Sequence, residues 1–337
     1  MPTAGIIARG KGSFLGILLS LCVLNLIVLI LQMILGDFPI PAADALKSVL
    51  GMGSERYDLV VNRFRFPRAL VAFLAGTGLA LSGVILQGIT RNPLASPGVL
   101  GLNSGAALAA VSCMVLFPDF PITLLPFAAF AGAFMAALVS YFLAWKKGLS
   151  AVRLVLIGVG IAASAGAFVS FLLTFSDLAQ AKRAVIWMSG SVYGRSWEHF
   201  WPLLPWLIVL FPSAMLFARR LDVLQLGDSL AIGLGTRLER SRGILLLIAV
   251  ASAGASVAMA GTIGFVGLMA PHLSRYLVGS KSRRLIPAAM LTGGLLVMLA
   301  DLLGRTLVTP LEIPCGILIA LIGAPYMIYL LVKKRND

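Results

Sequence analysis

Arg65 and Arg68 stand in front of twenty residues, Ala69 to Gly88, that include no ionisable group, and Arg305 closes a later apolar run. A guanidinium offers donors in a fixed fork that matches a carboxylate. Three of them on one rim suit capture of carboxylates on a partner protein or an anionic ligand, and they suit snorkelling to lipid headgroups equally well. Asp301 is the one carboxylate well inside an apolar run, where a charge needs a partner. Arg305, four residues on, is the local partner that helical spacing offers it. His199 and His272 have no Cys or second His at ligand spacing, and Cys22, Cys113 and Cys315 are far apart, so no metal site, disulfide or cofactor is implied. A structural or helix-capping part is expected of His272.

Two further segments have the composition of working parts. In Arg91-Asn92-Pro93-Leu94-Ala95-Ser96-Pro97-Gly98, two prolines prevent a continuous helix and force a stiff, exposed turn. Such a turn suits a gate at a pore mouth or a plain corner between helices. From Leu224 to Gly235 glycines break short apolar-polar turns, and Leu226, Leu230 and Leu234 recur at helical spacing. Two small helices outside the membrane are expected there, resting on headgroups or docking a soluble partner. Asp222, Asp228 and Glu239 among the bases favour the protein partner. The sequence has no GxxxxGK[ST], HExxH or GxSxG, so ATP hydrolysis of the usual P-loop kind and the common hydrolytic chemistries are not expected of this chain.

These groups must be held by membrane helices. Of 337 residues 59% are hydrophobic and only 12% charged, too little polar surface to coat a soluble globule of this size. Uncharged runs long enough to span are Phe14 to Gly36, Ala69 to Gly88, Val99 to Phe117, Pro121 to Trp145, Leu154 to Ser176, Phe200 to Ala218 and Ile313 to Val332. Phe14 to Leu35 is too long for a signal-peptide core and reads as a retained first helix. Gly243 to Pro271 is too long for one helix, and its glycines invite a break into a helix and a short successor. Leu285 to Gly304 completes ten. Pro67 reads as a helix-start residue that fixes where the second crossing begins. Ala72, Gly76 and Ala80, every fourth residue, form a stripe suited to close helix packing. Ala80 to Ile85 and Ala258 to Ile263 echo each other, which chance similarity between Gly/Ala-rich helices explains better than a repeat.

Ten crossings place both termini on one side, and eighteen of the 27 Lys and Arg fall in the connections on that side. Both termini are therefore expected in the cytoplasm. The net charge of +14 then lies on the cytoplasmic face, spread over short loops as insertion requires, and offers no nucleic-acid footprint. No stretch has the make-up of an independent soluble domain.

The sequence resembles the FecCD-type permeases of binding-protein-dependent ABC importers, which take up ferric siderophores, haem and cobalamin. The resemblance is carried by RFPRALVAFLAGTGLALSGVILQGITRNPLASPGVLG from Arg65, IWMSGSVYGRSW from Ile186, LGDSLAIGLG from Leu226, GTIGFVGLMAPHLSRYLVG from Gly261 and ADLLGRTLVTPLEIPCGILIALIGAPYMIYLL from Ala300. It implies an all-α, polytopic protein of ten transmembrane helices, similar to the cobalamin-importer permease fold. Residues 1–337 would form one permease domain, with a coupling loop at about 222–242. The implied partners are two ATPase subunits, a periplasmic or lipid-anchored substrate-binding protein and a second permease subunit, identical or related. Arg65, Arg68 and Arg305 would meet acidic residues on the binding protein. Leu226, Gly227, Asp228, Leu230, Leu234 and Gly235 would seat in the ATPase. Asn92, Pro93 and Leu94, with Ser150 and Ala151, would narrow the cytoplasmic exit. The implied cargo is a ferric siderophore, with cobalamin or haem as alternatives, carried across the inner membrane. An ion-coupled secondary transporter is the distant rival, since it needs titratable groups along its path and only Asp301 qualifies.

Overall fold

The structure, a computed structural model, describes residues 13–36, 38–146, 148–308 and 311–336, and all of their side chains except those of 331 and 333–336. Arg9, Lys11 and Lys147, which enter the topology count, lie outside the described residues, as do the side chains of Lys333, Lys334 and Arg335. In chain order the helices are α1 (Phe14–Ile34), α2 (Ala42–Val49), α3 (Glu55–Asp58), α4 (Phe66–Thr90), α5 (Leu102–Leu116), α6 (Leu125–Ala144) and α7 (Ala151–Thr174). They continue as α8 (Leu178–Met188), α9 (Trp197–Gln225), α10 (Asp228–Gly233), α11 (Leu238–Ala260), α12 (Val266–Val278), α13 (Ser282–Thr306) and α14 (Cys315–Asn336). Among the described residues the one extended pairing is an isolated bridge between Trp145 and Leu149.

Ten of these helices coincide with the ten expected crossings: α1, α4, α5, α6, α7, α9, α11, α12, α13 and α14. By length and composition α1, α4, α6, α7, α9, α11 and α13 can each cross a membrane, while α5 and the Cys315–Leu330 part of α14 are shorter apolar helices. The break expected between Gly243 and Pro271 falls at Gly261 to Phe265. Gly261 has φ of +72°, open to a glycine at little cost, and a side chain there would strike the Trp187 carbonyl at the end of α8.

The chain's own packing buries 89% of the most apolar part of α4 but only 17% of that of α1. The centre of the bundle is α4, flanked by α11 and α13, and α1 rides on its edge. The stripe on α4 explains that centre. Ala72 and Ala80 are fully buried, and a side chain at Gly76 would collide with the backbone of Gly293 and Gly294 on α13. Bare backbone lets the two helices approach closely where apolar area drives no association in lipid.

One expectation needs correction, and two others agree with the structure. The connection before Arg68 is folded: α2, α3 and a π-helical turn at Leu59–Arg65 run straight into α4. Met33, Ile40, Ala45, Val61 and Ala69 give this region a small core of its own. Pro67 stands in the first turn of α4, as expected of a helix-start residue. The wider turn absorbs the missing N–H of the proline, with Phe66 N donating five residues back to Val61. Next, α9 continues past Ala218 to Gln225 and α11 begins at Leu238, so the Leu224 to Arg242 segment holds one short helix, α10, and not two. Last, Gly83 lies mid-helix in α4 and Gly261 at the end of α11, so the two echoing segments differ in structure, as chance similarity implies.

Candidate functional site

The named residues gather at the two ends of the bundle. At the end where α1 and α13 finish, Arg65, Arg68, Arg195, Arg305 and Glu312 line a hollow of about 410 Å³. The π-helical turn aims Arg65 back at the last turn of α1. Its Nη1 donates to the carbonyls of Met33 (2.7 Å) and Ile34 (3.2 Å), and its Nη2 to that of Phe38 (2.6 Å). Arg305 Nη2 donates to the Gln32 carbonyl in the same turn. The final carbonyls of a helix have no partner within it, and a cation there also complements the helix dipole. Both arginines are buried and fasten α1 to α4 and α13.

Arg68 carries the pairing that was expected of Arg305. Its Nε and Nη2 bond both oxygens of Asp301 at 2.7–3.1 Å, and its Nη1 and Nη2 reach Glu312 at 3.2 and 2.7 Å. Asp301 is 3% exposed, so its charge is held by a bidentate fork from α4 and not by the residue one turn along α13. The Arg68 guanidinium also lies over the Tyr193 ring, 5.6 Å from its centroid. Arg195 was not singled out in the sequence. It stands in the connection before α9 and meets His199 Nε2 at 2.9 Å, and burial pushes its guanidinium down to about 10. His199 is thus a structural partner that also caps α9, accepting from Ser196 N through Nδ1 at 3.3 Å. His272 packs edge-on against Tyr276 and Tyr326. No cluster of His, Cys, Asp and Glu that could hold a metal occurs among the described residues.

At the opposite end α4 stops at Arg91, which sits in the left-handed region with φ of 53°. The proline turn follows at once: Asn92 Oδ1 accepts from Leu94 N at 2.9 Å, an Asx turn that fixes Pro93 between them, and Leu94 is exposed. Ser150 caps α7 by accepting from Arg153 N, and Ala151 opens that helix. Arg91, Ser150, Ala151, Asp228, Glu239 and Arg242 share a hollow of about 370 Å³. Beside it α10 buries Ala231, while Leu230 and Ile232 on it, Leu226 before it and Leu234 after it are 58–63% exposed. Asp228 turns the other way, toward Arg242 (2.7 Å) and Arg91 (3.3 Å). An amphipathic helix six residues long thus presents an apolar face outward and an ionic face inward.

Comparison with known proteins places this geometry. A family model described as the FecCD transport family matches residues 23–333. The chain is 42% identical to the Fe(3+)-citrate import system permease protein YfmE of Bacillus subtilis, covering 93% of this chain and 95% of that protein. It is likewise 42% identical to the iron(3+)-hydroxamate import system permease protein FhuG of the same organism, over 93% and 95%. Among solved structures it resembles a metal-chelate type ABC transporter in an inward-facing conformation, with a TM-score of 0.83 and 32% identity over 95% of this chain and 100% of that one.

Proposed function

The chain belongs to the FecCD transport family, and from that premise we propose that it is the permease subunit through which an ABC importer passes a ferric chelate, a siderophore or ferric citrate. The observation that carries the reading is the end-to-end likeness to permeases of ferric citrate and ferric hydroxamate import. Two copies, or this chain and a related one, enclose the path in the inner membrane with both termini in the cytoplasm. Residues 1–337 act as one permease domain. ATP is hydrolysed on two separate ATPase subunits, consistent with the lack of a P-loop here.

Leu230 on α10, with Leu226 before it and Leu234 after it, seats in the ATPase, with Gly227, Asp228 and Gly235 shaping that segment. What supports this is the exposure of these leucines on the side away from the ion pairs of Asp228. Asn92, Pro93 and Leu94, with Ser150 and Ala151, form the cytoplasmic gate, and Arg91 at the head of the first turn shares a hollow with the second. A periplasmic or lipid-anchored binding protein docks over the outer hollow near Arg65, Arg68 and Arg305. Because these guanidiniums are engaged within the chain, charge reversal there perturbs folding as well as docking. The cleaner measurement is the salt dependence of binding-protein affinity to the unaltered complex, and affinity that ignores salt would return the three arginines to a purely structural part.

The whole reading is tested by reconstituting the permease with the ATPase and binding protein encoded beside it and following ATP-driven uptake into vesicles. Ferric citrate or a ferric hydroxamate is the expected cargo. Uptake of cobalamin or haem, and of neither ferric chelate, would move the protein to another branch of its family.

A further inference from the structure

The ionic face of α10 closes on both halves of the gate at once. Asp228 Oδ1 accepts from Arg242 at 2.7 Å and lies 3.3 Å from Arg91 Nη2. Arg242 is 2% exposed, and a cation so deeply buried persists only where paired groups surround it. Its Nη1 donates to the Leu149 carbonyl at 3.0 Å and lies 3.7 Å from Glu239. Glu239 in turn accepts from Leu149 N at 3.2 Å. Both backbone groups of Leu149, the residue before Ser150, are therefore held by the first turns of α11. For Arg91, the residue before Asn92, the one ion pair among the described residues is its bond to α10, and that pair is half-exposed at 41% and 44%.

We propose that Asp228 and Arg242 are positioning residues that couple α10 to the gate, and that the coupling is unequal. The Ser150 side is anchored to α11 by two bonds to Leu149, one of them from the buried Arg242, whereas the Asn92 side is released when α10 shifts and the Arg91–Asp228 pair parts. This rests on the reading of α10 as the ATPase-coupling helix. A displacement of α10 breaks the 3.3 Å Arg91–Asp228 pair, half-exposed on both sides, before the 2.7 Å bond of Asp228 to the buried Arg242, because an exposed pair gains little from each partner and gives it up readily. Arg91 occupies a left-handed backbone position at the end of α4, so its release frees the direction in which the Asn92-Pro93 turn leaves the helix.

Amide hydrogen exchange on the full-length permease in detergent tests this without a cargo or an ATPase. Arg91→Asn removes the cation while keeping a residue that tolerates the left-handed region. It should raise exchange in 92–98 about two- to fivefold, the range of an exposed ion pair, and leave 146–153 unchanged. In the unaltered protein added salt should raise exchange in 92–98. That salt response should vanish in Arg91→Asn and return in part in Arg91→Lys, which a merely structural role for Arg91 would not produce. Arg242→Lys, which keeps the charge but loses the fork, should raise exchange in both segments. Wild-type exchange in 92–98 for Arg91→Asn, or a salt response that survives in it, would overturn the proposal. In the assembled complex ATP with vanadate should loosen 92–98 and not 146–153, and equal loosening of the two would also overturn it. Failure of the ATPase to bind would instead strike the functional reading, while the exchange data on the permease alone still decide the link.

Discussion

Arg68 divides its guanidinium between two carboxylates that lie 233 and 244 positions along the chain, and that sharing decides what a substitution there does. Removing it leaves Asp301 charged, buried and without its fork, which should cost about 3–5 kcal/mol. Arg68→Ala is therefore expected to unfold at markedly lower temperature in detergent, and Asp301→Asn on top of it should recover part of the loss. A double variant no more stable than the single one would refute the coupling. Arg65→Met is expected to cost about 3 kcal/mol, since it strips donors from buried carbonyls at the end of α1, and the same thermal assay reads it. The sequence marked Arg65, Arg68, Arg305 and Asp301 as special by type and depth alone. It could not say that Arg65 caps a neighbouring helix or that Asp301 answers Arg68. Spacing reports partners within one helix, while these arise from two elements meeting far along the chain.

Elements were more legible than contacts. Most crossings are visible as uncharged runs, because lipid leaves no other way to satisfy the backbone, while α13 carries Asp301 and α12 shares an over-long run with α11. The extra length of α9 and α11, the helices before Arg68 and the single α10 are less visible, for their residues are polar and hold helical shape through packing. The α4–α13 contact is a place where sequence and structure agree closely. Gly76 meets backbone on α13, so Gly76→Val has nowhere to put its methyl groups and should destabilise by at least about 1–3 kcal/mol. By contrast Gly160, on the open face of α7, has nothing near it, and Gly160→Val should leave the thermal stability of the single chain unchanged. Equal losses at the two positions would mean that propensity and not close approach sets the cost. On α10 the test is binding: Leu230→Ser and Leu234→Ser should fold normally, since both side chains are exposed. Each should weaken ATPase co-purification about tenfold, the worth of burying one leucine. Retention of the ATPase by the double variant would remove α10 from that contact.

At the scale of the whole molecule the choice lies between a path driven from outside the chain and one driven by ions moving through it. An ion-coupled carrier needs carboxylates or histidines that face its path and change charge during the cycle. Asp301 is the one carboxylate deep in a crossing, and it is locked between α4 and α13 by Arg68 at the end of the bundle where α1 and α13 finish. His272 is packed among tyrosines, and His199 is spent on Ser196 and Arg195. The other ion pairs among the described residues lie where α10, α11 and the proline turn meet, which is where force from an ATPase would be received. Uptake of a ferric chelate into vesicles holding the full complex should therefore continue when ionophores collapse the proton and sodium gradients, and stop when ATP is withheld. Uptake that follows the gradients and ignores ATP would overturn this, and would redirect attention to Asp301, whose replacement by Asn should then abolish transport and not merely lower stability.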